Sequence, residues 1–235
     1  MKEIKKWETH WFELKEESLF KLKDELLIEL IKEARDKAGN LNKLVKALSL
    51  SYPSFLYALQ RRAKLVSVRK LKKLADFLEL EYSYFNDKII EVKKGRIASI
   101  KNPKFPFNLK CKEGAYLLGC VVSDGGIYID KRSRNVKRTA YYSSDKESIN
   151  NFIRCLNKVF GKVHIINSTK GKNIALGIKS SIIGDSLAKV GAIVGNKTKN
   201  NECIPWIVKE YPEISDNYFN AIFGDEGSVG HSRNF

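Results

Sequence analysis

Two acidic residues are set apart by the sequence that surrounds them. Asp124 ends the apolar run "AYLLGCVVSDGG" (residues 115–126), and Glu226 ends the similar run "YFNAIFGDEGSVG" (residues 218–230). Each acid precedes a glycine, and 102 residues separate the two acids. The chain has 43 basic and only 27 acidic residues, so a repeated acid in this setting indicates paired carboxylates, which can hold a divalent cation.

Small residues within each run predict how the two acids could meet. Gly119 and Ser123 are four residues apart and share one face of a helix, and Asn220 and Gly224 do likewise, with Ala221 beside them. Small residues on facing stripes let two helix backbones approach closely, which would bring the acids together at one end. Adjacent carboxylates repel each other unless a cation lies between them, and Mg²⁺ prefers oxygen ligands and keeps water molecules. The predicted packing positions are Gly119, Ser123, Ala221 and Gly224, and the predicted ligands of Mg²⁺, or of another divalent cation such as Mn²⁺, are Asp124 and Glu226.

The segment between the two acids alternates between helical and strand patterns. "IYID" and "TAYYSSD" form a predicted hairpin around the basic loop "KRSRNVKR", and "KESINNFIRCLNKVFG" follows as an amphipathic helix. "KVHIINS" and "NIALGIKS" form a second hairpin, followed by the helix "SIIGDSLAKVG". The predicted order is therefore αββαββα, and the distance between the acids fits a large internal repeat.

The segments "LLGCVVSDG" and "FNAIFGDEG" resemble the signature of the LAGLIDADG homing endonucleases. The helix and strand order from about residue 115 to 227 is similar as well, and so is the connector "IPWIV"; Ala221 stands where a glycine is common. The resemblance implies a central helix pair with sheets on either side that form a saddle over DNA. It also implies catalytic roles for Asp124 and Glu226, whose bound metal drives phosphodiester hydrolysis on both strands.

Further site residues follow from the resemblance and from strand alternation. The family often has a basic residue near the scissile phosphate, and Lys179, which shares a strand face with Ala175 and Gly177, is the catalytic candidate; a solvated lysine at a strand end is the alternative. Alternation predicts a DNA-facing side for the first strand, and the hairpin loop adds basic residues. The residues predicted on that side of the first strand are Tyr128, Asp130 and Arg132. The predicted DNA contacts here are Tyr128, Arg132, Arg134, Lys137 and Arg138.

The overall charge and the cysteines limit the class of protein. A net charge of +16 and a pI of about 9.6 favour a polyanionic partner, either nucleic acid or an anionic membrane surface. The four cysteines show no metal-ligand spacing, which favours a reduced, cytoplasmic protein. The charged N-terminus predicts no secretion signal, and no apolar run approaches the ~18 residues that span a membrane.

A second basic module precedes this region. Residues 37–75 contain ten Lys or Arg residues and no acid, and four helical patterns follow one another from residue 23 to residue 80. Asn40 and Ser67 are predicted N-caps, Gly39 a C-terminal stop, and Pro53 a first-turn residue. The spacing of these helices resembles the Cro and phage-repressor type of helix-turn-helix domain.

That resemblance implies that the helix after the turn enters the major groove of DNA. The positions that would meet bases are Tyr52, Ser54, Tyr57 and Arg61, and those that would meet phosphates are Lys43, Arg62, Arg69 and Lys70. The alternative is a small helical bundle with a solvated basic face.

The predicted fold class is α+β. An all-α helix-turn-helix domain is expected over residues 1–90, a basic linker over 91–112, and an αββαββα repeat with the first helix of a second, truncated repeat over 113–235. We expect a site-specific double-stranded DNA endonuclease, with weak or no activity in this chain because the second repeat is incomplete. The expected partner is duplex DNA and not a membrane, with a monomer of two pseudo-repeats at full length or a dimer if truncated. A non-cleaving transcriptional regulator and an RNA intron splicing helper remain alternatives on the same fold.

Overall fold

The computed structural model describes residues 6–23, 25–53, 65–94, 99–133, 136–170, 173–197 and 204–226. These residues form helices and antiparallel sheets, so the chain has a mixed α+β fold. It divides into two compact units. The N-terminal unit comprises Thr9–Phe107, and the C-terminal unit comprises Met1–Glu8 together with Asn108–Phe235.

The N-terminal unit combines three described helices with an antiparallel sheet. Its core includes Trp11, Phe20, Phe85 and Ile100, all with no exposed surface. The strands described below as β2 to β5 pair in the order β3-β2-β4-β5. From residue 8 to residue 108 the elements in chain order are β1 (Glu8–Thr9), a 3₁₀ turn (Trp11–Glu13), β2 (Leu19–Leu22), α1 (Leu26–Ala38), α2 (Leu41–Ala47), β3 (Leu65–Ser67), α3 (Val68–Phe77), a 3₁₀ turn (Tyr82–Phe85), β4 (Ile89–Lys93), β5 (Ser99–Lys101) and β6 (Phe107–Asn108), of which β1 and β6 each include one residue of the C-terminal unit.

Local capping chemistry sets the helix boundaries that the sequence predicts. Asn40 Oδ1 accepts a hydrogen bond from Lys43 N at 2.9 Å and starts α2, and Ser67 Oγ accepts one from Lys70 N at 3.4 Å and starts α3. Gly39 ends α1 with a φ of 87°, a conformation that side chains other than glycine rarely adopt. The predicted N-caps and the C-terminal stop are therefore confirmed.

The prediction of an all-α N-terminal domain is wrong, because four strands form a sheet within it. Phe20, in β2, lies opposite Val66 on one side and Val92 on the other, so the sheet joins segments that are distant in sequence. The expected linker at 91–112 also differs, since residues 91–93 belong to β4 and residues 99–101 to β5. Strands of three to five residues are too short for alternation to identify them.

The C-terminal unit follows the helix and strand order expected from its sequence. The elements are α4 (Lys112–Val122), β7 (Gly126–Asp130), a 3₁₀ turn (Lys131–Ser133), β8 (Val136–Ser143), α5 (Lys146–Phe160), β9 (Lys162–Val163), β10 (Ile165–Lys170), β11 (Asn173–Ile178), α6 (Ser181–Lys189), α7 (Trp206–Glu210), a 3₁₀ turn (Pro212–Ile214) and α8 (Ser215–Glu226). Four of the strands form an antiparallel sheet in the order β10-β11-β8-β7.

Strand alternation gives this sheet one buried face. Tyr141 in β8 lies opposite Leu176 in β11, and both are fully buried. Tyr141 also stacks on Phe152 of α5 with ring centroids 4.6 Å apart. The buried face of the sheet therefore packs against the helices, and the opposite face presents Tyr128 and Tyr142, which are 46% and 48% exposed.

Thr139 provides a test of this packing. Its side chain is fully buried opposite Ile127, and its hydroxyl has no hydrogen-bond partner among the described residues. Thr139→Val keeps the shape and removes the unpaired hydroxyl, so we expect the free energy of unfolding to rise by about 1 kcal/mol. Urea denaturation measures this change. Thr169→Val, at an exposed position of β10, should leave the unfolding free energy nearly constant, and a loss of stability in Thr139→Val would show that the hydroxyl is satisfied.

Within the described ranges, no helix combines the length and the apolar character that a membrane span requires.

Candidate active site at the ends of two packed helices

Helices α4 and α8 pack directly against each other through small residues. A Cβ atom added at Gly119 would lie 2.6 Å from the Cβ of Ala221 and would also clash with the backbone carbonyl of Tyr218. Since real Cβ atoms do not approach so closely, only glycine fits at position 119. The predicted packing roles of Gly119 and Ala221 therefore agree with the contact that the structure describes.

The face that α8 turns towards α4 is rotated from the predicted one. Tyr218 and Ala221 are buried, and Asp225, one helical turn further along, reaches α4 through its side chain. Gly224 is exposed, and a Cβ added there would meet nothing within 4 Å, so its predicted packing role is wrong. Asn220 is exposed as well. Positions 224 and 225 differ by about 100° around the helix, so a one-residue error in phase replaces one by the other.

Asp225 is held by two hydroxyl groups between the helices and the sheet. Ser123 Oγ donates to Asp225 Oδ2 at 2.5 Å, and the Tyr141 hydroxyl donates to Asp225 Oδ1 at 2.6 Å. Ser123 follows the last residue of α4, so this contact joins the C-terminal ends of the two helices. The predicted packing role of Ser123 thus takes the form of a hydrogen bond.

Three ionisable groups near Asp225 are partly or fully removed from solvent: the thiol of Cys120 and the phenols of Tyr116 and Tyr141. Burial raises the pKa of the Cys120 thiol, and the nearby carboxylate of Asp225 raises it further. Burial is likewise the main reason why the pKa values of the Tyr116 and Tyr141 phenols are raised, with the thiol of Cys120 adding to both shifts. All three groups are therefore neutral at physiological pH and act here as hydrogen-bonding groups.

The two predicted metal ligands lie one residue beyond this hydrogen bond. Asp124 directly follows Ser123 and is exposed, and Glu226 directly follows Asp225 as the last residue of α8. The side chain of Glu226 lies outside the described part of the structure. Consecutive Cα atoms are about 3.8 Å apart, so the Ser123–Asp225 contact holds the two backbones that carry the acids close together.

Position 125, directly after Asp124, has no room for a side chain. A Cβ added at Gly125 would lie 2.6 Å from the carbonyl oxygen of Cys120 and 2.7 Å from that of Ala140. Gly125 does not have a positive φ, so this position needs glycine for the space that it leaves and not for an unusual backbone conformation. Because Gly125 has no side chain, its backbone can lie directly against Ala140 of β8.

Lys197 is a site residue that sequence reasoning missed. Its ammonium group donates to the carbonyl oxygens of Val122 at 2.7 Å and Gly125 at 2.9 Å, and also to that of Ser123. An ammonium group has three donors, so these carbonyls match its capacity. A cation here also offsets the partial negative charge at the C-terminal end of α4. No local pattern in the sequence marks Lys197, because its contacts are more than 70 residues away.

The open face of the sheet carries some of the predicted DNA contacts and not others. Tyr128 lies on this face opposite Arg138, whose Nε donates to Asp130 Oδ2 at 2.7 Å. Lys137 pairs with Ile129 in the register and forms an ion pair with Asp185 of α6 at 2.9 Å, so it lies on the helix side of the sheet. The predicted position of Lys137 in the hairpin loop is therefore wrong, because β8 begins at Val136 and strand alternation turns Lys137 towards the helices.

The remaining predicted residues of this unit lie at the edges of the sheet. Arg132 is exposed in the 3₁₀ turn after β7, and its backbone N–H donates to Asp130 Oδ1 at 3.0 Å. Lys179 follows β11 and is half-buried, and its carbonyl oxygen accepts from Arg138 Nη1 at 3.5 Å. Arg134 lies outside the described residues.

The predicted DNA contacts of the N-terminal unit are described only in part. Lys43 and Arg69 are exposed, Tyr52 is 42% exposed, and Lys70 is half-buried, with a pKa lowered by burial. Four further predicted DNA contacts lie outside the described residues: Ser54, Tyr57, Arg61 and Arg62.

No group of three or more His, Cys, Asp or Glu side chains among the described residues is placed to hold a metal ion. Asp124 is the predicted ligand whose side chain the structure describes. No protein-family model and no curated protein matches the sequence.

Proposed function

We propose that this protein is a site-specific double-stranded DNA endonuclease of the LAGLIDADG type. In this proposal Asp124 and Glu226 hold a divalent cation, the β7–β8–β11–β10 sheet lies over the duplex, and the N-terminal unit adds helix-turn-helix binding. The observation that carries the proposal is the contact between the two helix ends. Ser123 and Asp225, each one residue before a predicted metal ligand, are joined by a hydrogen bond of 2.5 Å.

The close helix packing supports the same proposal. Gly119 admits no side chain because Tyr218 and Ala221 lie directly above it. Two helices that approach this closely deliver whatever follows their C-terminal ends to one small region. In this chain the residues delivered are two acids, in a protein with a net charge of +16. The mutual repulsion of two adjacent carboxylates destabilises the folded chain unless a bound cation compensates for it.

The donor set fits Mg²⁺ or Mn²⁺. One or two carboxylates, completed by water and by phosphate oxygens, are the usual ligands of Mg²⁺ in proteins that act on phosphates, so a cluster of three protein ligands is not required. Asp124 is exposed and can offer oxygen atoms to such a cation, and Glu226 supplies the second carboxylate. When bound, the cation would lower the pKa of a water molecule and stabilise the charge that develops on the phosphate.

The residues around the acids contribute position and charge. Lys197 fixes the backbone on both sides of Asp124 through its bonds to the carbonyls of Val122, Ser123 and Gly125. Its three donors are engaged there, so we assign it to holding the Asp124 turn. Lys179, at the end of β11, remains the candidate basic residue for the scissile phosphate.

The open face of the sheet has properties that suit a duplex. Tyr128 of β7 and Tyr142 of β8 are exposed on this face, and the small residue Ala140 lies on the same face of β8. Arg138 lies on the same face, where its guanidinium is bound by Asp130 and fixed in orientation. Basic and aromatic side chains of this kind contact phosphates and bases in protein–DNA interfaces.

The N-terminal unit supplies additional affinity in this proposal. Asn40 and Ser67 cap the starts of α2 and α3, and Lys43, Tyr52 and Arg69 are exposed. Their contacts with phosphates would act through the release of counterions, so this part of the affinity should fall steeply with salt.

The proposal is tested by selecting cleaved sequences from a random pool of duplex DNA in the presence of Mg²⁺. Selection enriches even rare cut products, so it detects the weak activity expected of this chain. We expect recovery of a restricted set of related sites, cut on both strands, and no recovery when a chelator replaces the metal. A matched plasmid that carries a recovered site should then be linearised, while the same plasmid without the site stays supercoiled.

Three results would contradict the proposal. Absence of cleavage with both Mg²⁺ and Mn²⁺, by a protein that binds duplex DNA specifically, would favour the regulator. Cleavage that continues unchanged with the chelator would show that the acids act without a metal. Specific binding of structured RNA in place of duplex DNA would favour the splicing helper.

A further inference from the structure

Asp225 is a third acid at the helix ends, and neither composition nor the repeated acid–glycine pattern marks it. It lies in the last turn of α8, beside Glu226, and it is half-buried. Each of its two carboxylate oxygens accepts a hydroxyl hydrogen, one from Ser123 and one from Tyr141. At 2.5 and 2.6 Å, both distances are in the range of hydroxyl-to-carboxylate hydrogen bonds, which are among the stronger ones in proteins.

The two hydroxyl groups belong to different elements, and both are held in place. Ser123 is buried at the end of α4, and its Oγ lies 3.0 Å from the carbonyl oxygen of Gly119. Tyr141 is fully buried in β8, with its ring stacked on Phe152 of α5. Asp225 therefore ties the end of α8 to the end of α4 and to the centre of the sheet at the same time.

The consequence concerns the neighbour of Asp225. Successive side chains leave a helix about 100° apart, so a fixed direction for Asp225 also fixes the direction in which Glu226 leaves the backbone. On the α4 side, Ser123 directly precedes Asp124 in the chain, so the same hydrogen bond also holds the backbone that leads into Asp124. One hydrogen bond thus sets the mutual placement of both predicted metal ligands.

We infer that Asp225 is a positioning residue that locks the ends of α4 and α8 in register, through Ser123 and Tyr141, and does not itself bind the metal. The functional part of this inference rests on the proposed endonuclease activity, whereas the lock itself does not. A carboxylate whose two oxygens both accept hydroxyl hydrogens has already committed its best-placed lone pairs to the protein. A ligand role would instead require oxygens turned towards solvent, as those of the exposed Asp124 can be.

The lock can be tested without DNA cleavage. Asp124→Cys and Glu226→Cys are combined in a chain that also carries Cys111→Ser and Cys203→Ser, and a short bifunctional thiol reagent is added. We expect rapid linkage of positions 124 and 226, identified by mass spectrometry of proteolytic fragments. Adding Asp225→Asn should slow that linkage about tenfold, because a displacement of ~1 Å is enough to disturb a fixed geometry.

The same substitution has a matched control and a milder companion. Asp216→Asn removes an exposed carboxylate from the first turn of the same helix and should leave the linkage rate unchanged. If Asp225→Asn fails to fold, Ser123→Ala removes only one of the two hydrogen bonds and should slow the linkage severalfold. An unchanged linkage rate in folded Asp225→Asn, or in Ser123→Ala, overturns the lock whether or not the protein cuts DNA.

Cleavage kinetics then separate a positioning role from metal binding. Asp225→Asn should lower the cleavage rate at saturating Mg²⁺ by about 10- to 100-fold, the usual effect of removing a group that orients a metal ligand. Ser123→Ala combined with Asp225→Asn should be no slower than Asp225→Asn alone, because both changes break the same contact. Exchange of the pair, Ser123→Asp with Asp225→Ser, should restore part of the rate lost in Asp225→Ser.

A metal ligand would behave differently. Its removal would raise the Mg²⁺ concentration for half-maximal cleavage, add its effect to that of Ser123→Ala, and allow no rescue by the exchanged pair; this combination overturns the inference. If the unsubstituted chain cuts no DNA but its linkage depends on Asp225, the lock stands and the proposed endonuclease function fails.

Discussion

Replacing Asp124 by asparagine should abolish DNA cleavage while leaving the affinity for duplex DNA nearly unchanged. The side chain keeps its size and one oxygen atom but loses the negative charge that attracts a divalent cation. Metal ions supply several kcal/mol of transition-state stabilisation, and each 1.4 kcal/mol corresponds to a factor of ten in rate, so we expect a loss of about 10³-fold or more. Single-turnover cleavage of a selected site measures the rate, and a gel-shift assay in Ca²⁺ measures the affinity.

Binding is expected to persist because Asp124 carries a charge of the wrong sign for phosphate. Removing it lowers repulsion towards DNA, so the affinity should stay the same or rise slightly. Asp216→Asn is the matched control: it removes a carboxylate from the opposite end of α8 and should cut DNA at the unsubstituted rate. Cleavage by Asp124→Asn at more than about a tenth of the normal rate would contradict a metal-dependent role for this residue.

The sequence predicts local features of this molecule well because the physics that sets them is local. The side chains of Asn40 and Ser67 reach backbone N–H groups three residues away, so a short window contains all that is needed to place the starts of α2 and α3. The strand and helix order of the C-terminal unit also follows from periodicity. The apolar face of α5, with Phe152 and Leu156 fully or almost fully buried, is of this kind.

Features that depend on contacts across the chain are not accessible in the same way. Phe20 pairs with residues 66 and 92, and no signal near Phe20 specifies those partners. Lys197 reaches the carbonyl of Val122 across 75 residues, and its own neighbourhood in the sequence is unremarkable in composition. The strand pairing of Phe20 and the contacts of Lys197 were therefore missed for the same reason. The free energy that stabilises each comes from groups that only the fold brings together.

The rotation of α8 is a third kind of difference. The sequence predicts that the side of α8 with Asn220, Ala221 and Gly224 faces α4. In the structure the contacting side carries Tyr218 and Ala221, which are buried, and continues to Asp225. The sequence cannot decide between the two, because an acid turned into a helix contact costs free energy unless hydrogen-bond donors meet it, and the sequence does not show which donors do so. The donors here are Ser123, which follows α4 and lies 102 residues earlier, and Tyr141 of β8.

The closest approach between the two helices leads to the second large expected effect. Gly119→Ala should lower the free energy of unfolding by about 2 kcal/mol, the usual cost of forcing a methyl group into a well-packed contact. The added carbon would lie 2.6 Å from Ala221 Cβ and against the carbonyl of Tyr218, so the helices would have to move apart. Backbone atoms cannot swing away as a flexible side chain can, which leaves separation of α4 and α8 as the available response.

Gly224→Ala provides the matched comparison on the partner helix. Its added carbon would meet nothing within 4 Å, so the change should be neutral or stabilise by up to ~1 kcal/mol through the better helix propensity of alanine. Urea denaturation of the two variants measures the difference. Because Gly119 lies one turn before Ser123, a separation there should also lengthen the Ser123–Asp225 hydrogen bond and displace the acids that follow it. Gly119→Ala should consequently lose cleavage as well as stability. If the free energy of unfolding of Gly119→Ala equals that of Gly224→Ala, the two helices do not meet at Gly119.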